Sequence, residues 1–143
     1  EIYTLSLHDA LPIWSAPVAA AAVVTVLVKT IVKALVRRPR PEVAWHLVHE
    51  SGWSFPSGHA ITSFAVYGLL FVLCLEQVGS VRKRWLLCVV SGVLAFAIGL
   101  SRIYLGVHYL SDVLAGWSFG LATIAGILLL REHLRRKGYL QAS

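Results

Sequence analysis

Four runs of this chain, residues 18–36, 61–75, 85–100 and 107–130, are so apolar that they restrict the fold to one solvent. The hydrocarbon core of a bilayer takes about 20 apolar residues per helical span. The two middle runs approach that length once their flanks, 58–75 and 85–103, are included. Lipid offers no partner to a backbone N–H or C=O, so each run must satisfy its own backbone as a helix. A water-soluble bundle would show charges on nearly every turn of its outer face, yet none falls between Trp85 and Leu100. The predicted architecture is therefore all-α, a polytopic membrane bundle with four visible spans.

The chain is 57% hydrophobic and 14% charged, with a formal net charge of +6. Its basic residues gather at span ends, where topology and lipid head groups use them, so no nucleic-acid partner is expected. Cys74 and Cys88 lie in or beside apolar spans without paired spacing. They read as unpaired thiols and argue against a structural zinc.

Residues 1–13 read EIYTLSLHDALPI, which matches codon for codon the translation of a common short-read sequencing adapter. The expectation is an artefact segment at 1–13, with no chemistry in His8 or Asp9, ahead of a membrane domain at 14–130 and a basic cytoplasmic tail at 131–143. On that reading the natural protein continues upstream of Trp14.

The first span is expected to start near Pro17, a good first-turn residue. It should stop at Arg37-Arg38-Pro39-Arg40-Pro41, where two prolines end the helical ladder. Residues 42–55 read as an interfacial loop or short helix, with Trp45 and Trp53 suited to that depth. Ser57 is placed to N-cap the second span, residues 82–84 form a basic loop before the third, and Gly106 permits a tight reversal into the fourth. Successive connections alternate sides, so three polar islands share one face: Lys33 to Pro41, Pro56 to His59, and Ser101 to Asp112. The positive-inside rule puts the 82–84 loop and the tail in the cytoplasm, and the islands at the periplasmic or exoplasmic surface of a bacterial plasma membrane.

The islands carry the residue types of a phosphate-handling site. His108 and Asp112, four apart at a helix start, lie on one face a turn apart. A carboxylate that accepts the N–H of one imidazole nitrogen fixes the tautomer and leaves the other nitrogen's lone pair free to attack phosphorus. The ordinary alternative makes Asp112 a first-turn acid favoured by the helix dipole. Ser57, Gly58 and His59 open a helix whose unpaired N–H groups suit an anion, with His59 placed to protonate a leaving alkoxide. Lys33, Arg40 and Arg102 supply cations for phosphate oxygens, whereas Lys29, Arg37 and Arg38 read as side chains snorkelling to the interface. His46 and His49 are weaker candidates that read as solvated, and His133 falls on the opposite face.

Taken together, the islands spell a lysine, six residues and Arg-Pro; then Pro-Ser-Gly-His; then Ser-Arg, five residues, His, three residues and Asp. In order and spacing they resemble the three signatures of the type 2 phosphatidic acid phosphatase family, which shares its site with vanadium-dependent haloperoxidases and bacterial acid phosphatases. The resemblance covers about residues 14–130. It implies a membrane enzyme that hydrolyses a lipid phosphomonoester or diphosphate through a phosphohistidine on His108. Asp112 would orient that histidine and raise its basicity, and His59 would be the general acid, then help activate water. Lys33, Arg40, Arg102, Ser57 and the Gly58 backbone would hold the phosphate. Cations would do the work of a magnesium ion, so no metal and no cofactor is expected. Membrane members usually have six helices, of which the four spans here correspond to the last four.

Two other functions compete. A vanadate-dependent haloperoxidase would use the same pocket, although membrane spans argue against it. A non-catalytic membrane protein that binds anionic lipids would need the cations but no nucleophile. Phosphatidic acid, phosphatidylglycerol phosphate and undecaprenyl diphosphate fit the sequence alike as the lipid phosphate partner, and no residue pattern sets an oligomeric state.

Overall fold

The computed structural model describes the backbone of residues 7–42, 47–48 and 50–139 and, Gln77 excepted, side chains from residue 16 onward within those segments. Four helices carry it: α1 Leu7–Val36, α2 Gly58–Gln77, α3 Val81–Tyr104 and α4 Leu110–Arg136. Each contains an apolar stretch long enough to cross a bilayer, Ala16–Val36, Gly58–Glu76, Val81–Tyr104 and Leu110–Arg136. At a rise of about 1.5 Å per residue, the shortest, 19 residues, reaches about 28 Å. Outward faces carry large apolar side chains, among them Trp85, Leu86, Val89 and Val93 on α3 and Val26, Leu27, Ile31 and Leu35 on α1. In water such continuous patches would drive association; in hydrocarbon they are the ordinary outer surface. The chain is an integral membrane protein, and all-α among the described residues, as its apolar runs require.

Helix α2 is central and packs against the other three. Ala21, Leu69 and Leu73 form a buried cluster with Val18, Ile127 and Leu128 around it. The α2–α4 seam is the closest. A Cβ on Gly116 would stand 2.7 Å from the Ala60 Cβ and 3.0 Å from the Ser57 carbonyl oxygen, and one on Gly120 would stand 2.9 Å from the Phe64 Cβ and 3.0 Å from the Ile61 carbonyl oxygen. Two glycines four apart thus let the backbones touch, which is how membrane helices associate without a hydrophobic drive between them. The seam also ties the two helix starts together, because the Ser57 N–H donates to the Asp112 carbonyl at 3.0 Å.

Several local expectations change. Helix α1 begins upstream of Pro17, which lies in its interior; proline removes one ladder bond there, a loss that membrane helices tolerate. The helix ends at Val36, where Arg37 takes a left-handed φ of 48° and its N–H closes on the Lys33 carbonyl at 3.1 Å, an αL termination. Residues 82–84 are the first turn of α3 rather than a loop, and the Arg84 Nε donates to the Val78 carbonyl at 2.6 Å. The basic segment 131–136 continues α4 rather than forming a tail. Glu132 pairs there with Arg135 and Arg136, three and four residues on, and Arg131 reaches Glu76 of α2. Between α1 and α2 no helix occurs among the described residues, and Trp45, His46 and His49 lie outside them. Gly106, at φ 73°, makes the expected reversal into α4.

The seam sets a test. Gly116→Leu must push α4 off the Ser57 carbonyl and Ala60, so it is expected to destabilise the fold by about 1–3 kcal/mol, the usual cost of overpacking. Gly126→Leu, where a Cβ would meet nothing within 4 Å, should leave thermal unfolding in detergent nearly unchanged. Equal melting shifts for both variants would refute the seam.

Candidate active site

All the polar islands meet at one end of the bundle. Lys33 comes from the last turn of α1, Arg40 from the loop after it, Ser57, Gly58 and His59 from the start of α2, Arg102 from the last turn of α3, and His108 and Asp112 from the α3–α4 turn and the first turn of α4. The cluster lies at the ends of the four apolar helices.

Asp112 is fully buried and its two oxygens are spoken for from several directions. Oδ1 accepts from the Arg38 Nη1 at 2.9 Å. Oδ2 accepts from the Ser54 hydroxyl and, at 2.9 Å, from the Tyr109 N–H, the reach-back half of a capping box. The first-turn acid and the histidine orienter are therefore one residue, since the same Oδ2 lies 3.4 Å from the His108 Nδ1. That separation exceeds an ideal hydrogen bond.

His108 is almost entirely enclosed. Burial, and then the nearby Arg40 charge, push its pKa down from 6.5 to about 4 against the upward pull of Asp112. Asp112 raises the basicity of the ring as expected, but desolvation outweighs it in the net. The imidazole is neutral at pH 7, which keeps a lone pair available. With Nδ1 toward Asp112, Nε2 faces the Glu50 carboxylate that Arg40 and Arg102 pair with.

Those cations are held rigidly. The Arg40 guanidinium donates to the carbonyls of Gly52 at 3.1 Å, Val107 at 2.9 Å and Ser51 at 3.2 Å. The Lys33 Nζ donates to the Trp53 carbonyl at 2.6 Å. Such fixed donors need no reorganisation when charge arrives. In their midst lies a carboxylate that the sequence reading passed over: one oxygen of Glu50 is 3.1 Å from the Arg40 Nη1 and 3.9 Å from the His108 Nε2, and the other is 3.4 Å from the Arg102 Nη1 and 4.0 Å from the His59 Nδ1. One of two acids, with Glu42, in a basic loop was the available signal.

Ser57 sits at the N-cap position of α2, yet its side chain makes no capping bond. Its hydroxyl is buried and without a partner, which normally carries a penalty of about 1–3 kcal/mol. The expected cap is corrected: the backbone turns at Ser57, but its oxygen is left free. Gly58 leaves space for Lys29, whose Cδ would stand 3.2 Å from a Cβ there. Three further residues were assigned no role from sequence: Ser54, Glu50 and Arg38, the last read there as snorkelling.

A bundle of four apolar helices with a buried Asp–His pair beside a cluster of cations at one end sets the class of protein. A sequence profile of the PAP2 superfamily matches residues 14–136, and the chain belongs to that superfamily. It is 40% identical over 111 residues to phosphatidylglycerophosphatase B of Bacillus subtilis (strain 168), across 77% of this chain and 54% of that protein. It is 39% identical over 69 residues to an undecaprenyl-diphosphatase of Sulfolobus acidocaldarius, across 48% of this chain and 29% of that one. Its fold matches the crystal structure of a transmembrane PAP2 type phosphatidylglycerolphosphate phosphatase from Bacillus subtilis with a TM-score of 0.75 and 28% identity, covering 90% of this chain and 72% of that one. The chain spans about half the length, or less, of these two curated relatives.

The free serine oxygen yields a prediction. Ser57→Ala should not lower the melting temperature, since it removes an unmade bond, but it should weaken binding of inorganic phosphate or vanadate about tenfold, equivalent to about 1.4 kcal/mol. A stability loss with unchanged anion affinity would show that the hydroxyl is structural.

Proposed function

We propose that the protein is an integral-membrane lipid phosphatase that transfers a phosphoryl group from a lipid to His108 and then to water. One observation carries the reading: the Glu50 carboxylate, an anion, lies where Arg40, Arg102, His59 and His108 converge. A phosphate would take that seat with more charge and more acceptor oxygens. Glu50 has to leave for it to enter.

In the first step the His108 Nε2 lone pair forms an N–P bond as the bond from phosphorus to the lipid oxygen breaks. His59, entering as imidazolium, gives that oxygen its proton. Asp112 accepts a hydrogen bond from the His108 Nδ1–H, which keeps its proton, and stabilises the positive charge that develops on the ring. Lys33, Arg40, Arg102, the Ser57 hydroxyl and the N–H groups opening α2 spread the charge of the equatorial oxygens. In the second step a water oxygen attacks phosphorus, neutral His59 takes a water proton, the N–P bond breaks and phosphate departs. On this reading the cations supply the charge stabilisation and no metal is needed.

The head-group depth of the pocket favours a phosphate borne by a membrane lipid. The activities named for the relatives suggest two classes, a glycerolipid phosphomonoester and a polyprenyl diphosphate. Arg82, Lys83 and Arg84, with Arg131, Arg135 and Arg136, gather at the opposite end of the helices. By the positive-inside rule this supports a site on the exoplasmic face of a bacterial plasma membrane.

His108→Ala is expected to abolish phosphate release from phosphatidic acid and phosphatidylglycerol phosphate, and wild-type protein quenched during turnover should carry acid-labile phosphate that the variant lacks. His59→Ala should spare substrates with an acidic phenol leaving group far more than lipid alkoxide esters, because only the latter need a proton. EDTA should change none of these rates. Turnover retained by His108→Ala would exclude the covalent route.

A further inference from the structure

Two adjacent arginines follow α1, and the structure separates them. Arg37 turns back on its own helix, its Nε donating to the Ala34 carbonyl at 2.9 Å, an ordinary C-terminal contact. Arg38 goes the other way. Its Nη1 donates to the Asp112 Oδ1 at 2.9 Å and to the Ser111 hydroxyl at 2.6 Å, and its guanidinium carbon stacks 4.0 Å over the Tyr109 ring. Its carbonyl accepts the Ser54 N–H at 2.8 Å, and the Ser54 hydroxyl in turn donates to the Asp112 Oδ2. One residue thus governs both oxygens of the carboxylate, the first directly and the second through Ser54.

We infer that Arg38 is a positioning residue that acts on the nucleophile through Asp112. A carboxylate with no exposed surface requires a countercharge and fixed donors, or its burial is prohibitively unfavourable. Arg38 supplies the charge, and the two-sided grip stops the carboxylate rotating away from the His108 Nδ1 toward the Tyr109 N–H alone. Holding it there fixes the tautomer with the proton on Nδ1 and leaves Nε2 unprotonated for phosphorus. Arg38 makes no contact with Glu50, whose partners are Arg40, Arg102 and the two histidines. It stands behind the nucleophile and takes no part in the anion seat. Its role is therefore distinct from those of Lys33, Arg40 and Arg102, and it rests on the phosphatase reading above.

The test is a double-mutant cycle on the full chain in lipid nanodiscs, with phosphatidic acid as substrate. Arg38→Met keeps the stem and removes the charge. It is expected to lower kcat about tenfold to a hundredfold, the usual cost of losing such a supporting contact, with KM changed by less than about threefold. Placed on Asp112→Asn, the same change should cost less than about threefold, because the residue it acts through is already disabled. Arg38→Lys, with one charged donor for Oδ1, should fall between wild type and Arg38→Met, and it serves for the cycle if Arg38→Met fails to assemble. Equal losses in both backgrounds, or a raised KM at unchanged kcat, would overturn the inference while leaving the phosphatase reading intact. A wild-type protein that hydrolyses no lipid phosphate and takes no label on His108 would overturn both.

Discussion

The buried carboxylate of Asp112 is the interaction on which the site depends. It is tied to the loop after α1 through Arg38, to the loop before α2 through Ser54, to its own helix start through the Tyr109 N–H, and through its carbonyl to Ser57. These contacts gather segments that are 50 or more residues apart in sequence around His108. An ion with no solvent cannot be left partly paired, so the network is an all-or-none requirement on the packing.

That network can close only because α2 and α4 approach to backbone contact. Gly116 and Gly120 have no Cβ to hold the helices apart, and the first turns of both therefore share one plane at the bundle end. Lipid-facing helices gain nothing from burying apolar surface against each other, so close packing and internal hydrogen bonds replace the hydrophobic drive. The polar site is thereby part of what holds this end of the bundle together. The cost is visible in front of it: an unpartnered Ser57 hydroxyl and clustered cations paired with Glu50.

Much of this was legible in the sequence, for identifiable reasons. Span length and the absence of charge fix a membrane helix because lipid cannot hydrogen-bond a backbone, and all four spans were placed to within a few residues at most ends. Besides the start of α1, upstream of Pro17, the boundaries that failed are those where charged residues continue a helix past its apolar run, at 82–84 and 131–136, since charge there is a poor stop signal. Lys33, Arg40, Ser57, His59, Arg102, His108 and Asp112 were singled out because their spacing is local within each island, and the structure brings them to one end.

Arg38 and Glu50 show where sequence reasoning runs out. Arg38 and Arg37 are neighbours of the same type, and nothing in the chain says that one folds back on α1 while the other crosses to Asp112. Glu50 sits in an irregular loop whose path no periodicity describes. The sequence by itself determined the solvent, the helices and the chemical types at the helix ends, because each depends on runs or spacings of neighbouring residues. Only the tertiary structure decided which oxygen each donor meets, that burial and Arg40 outweigh Asp112 in setting the charge state of His108, and that the Glu50 carboxylate sits between Arg40 and Arg102. Those outcomes depend on distances between residues far apart in the chain, and Coulomb and hydrogen-bond energies fall too steeply with distance for order alone to settle them.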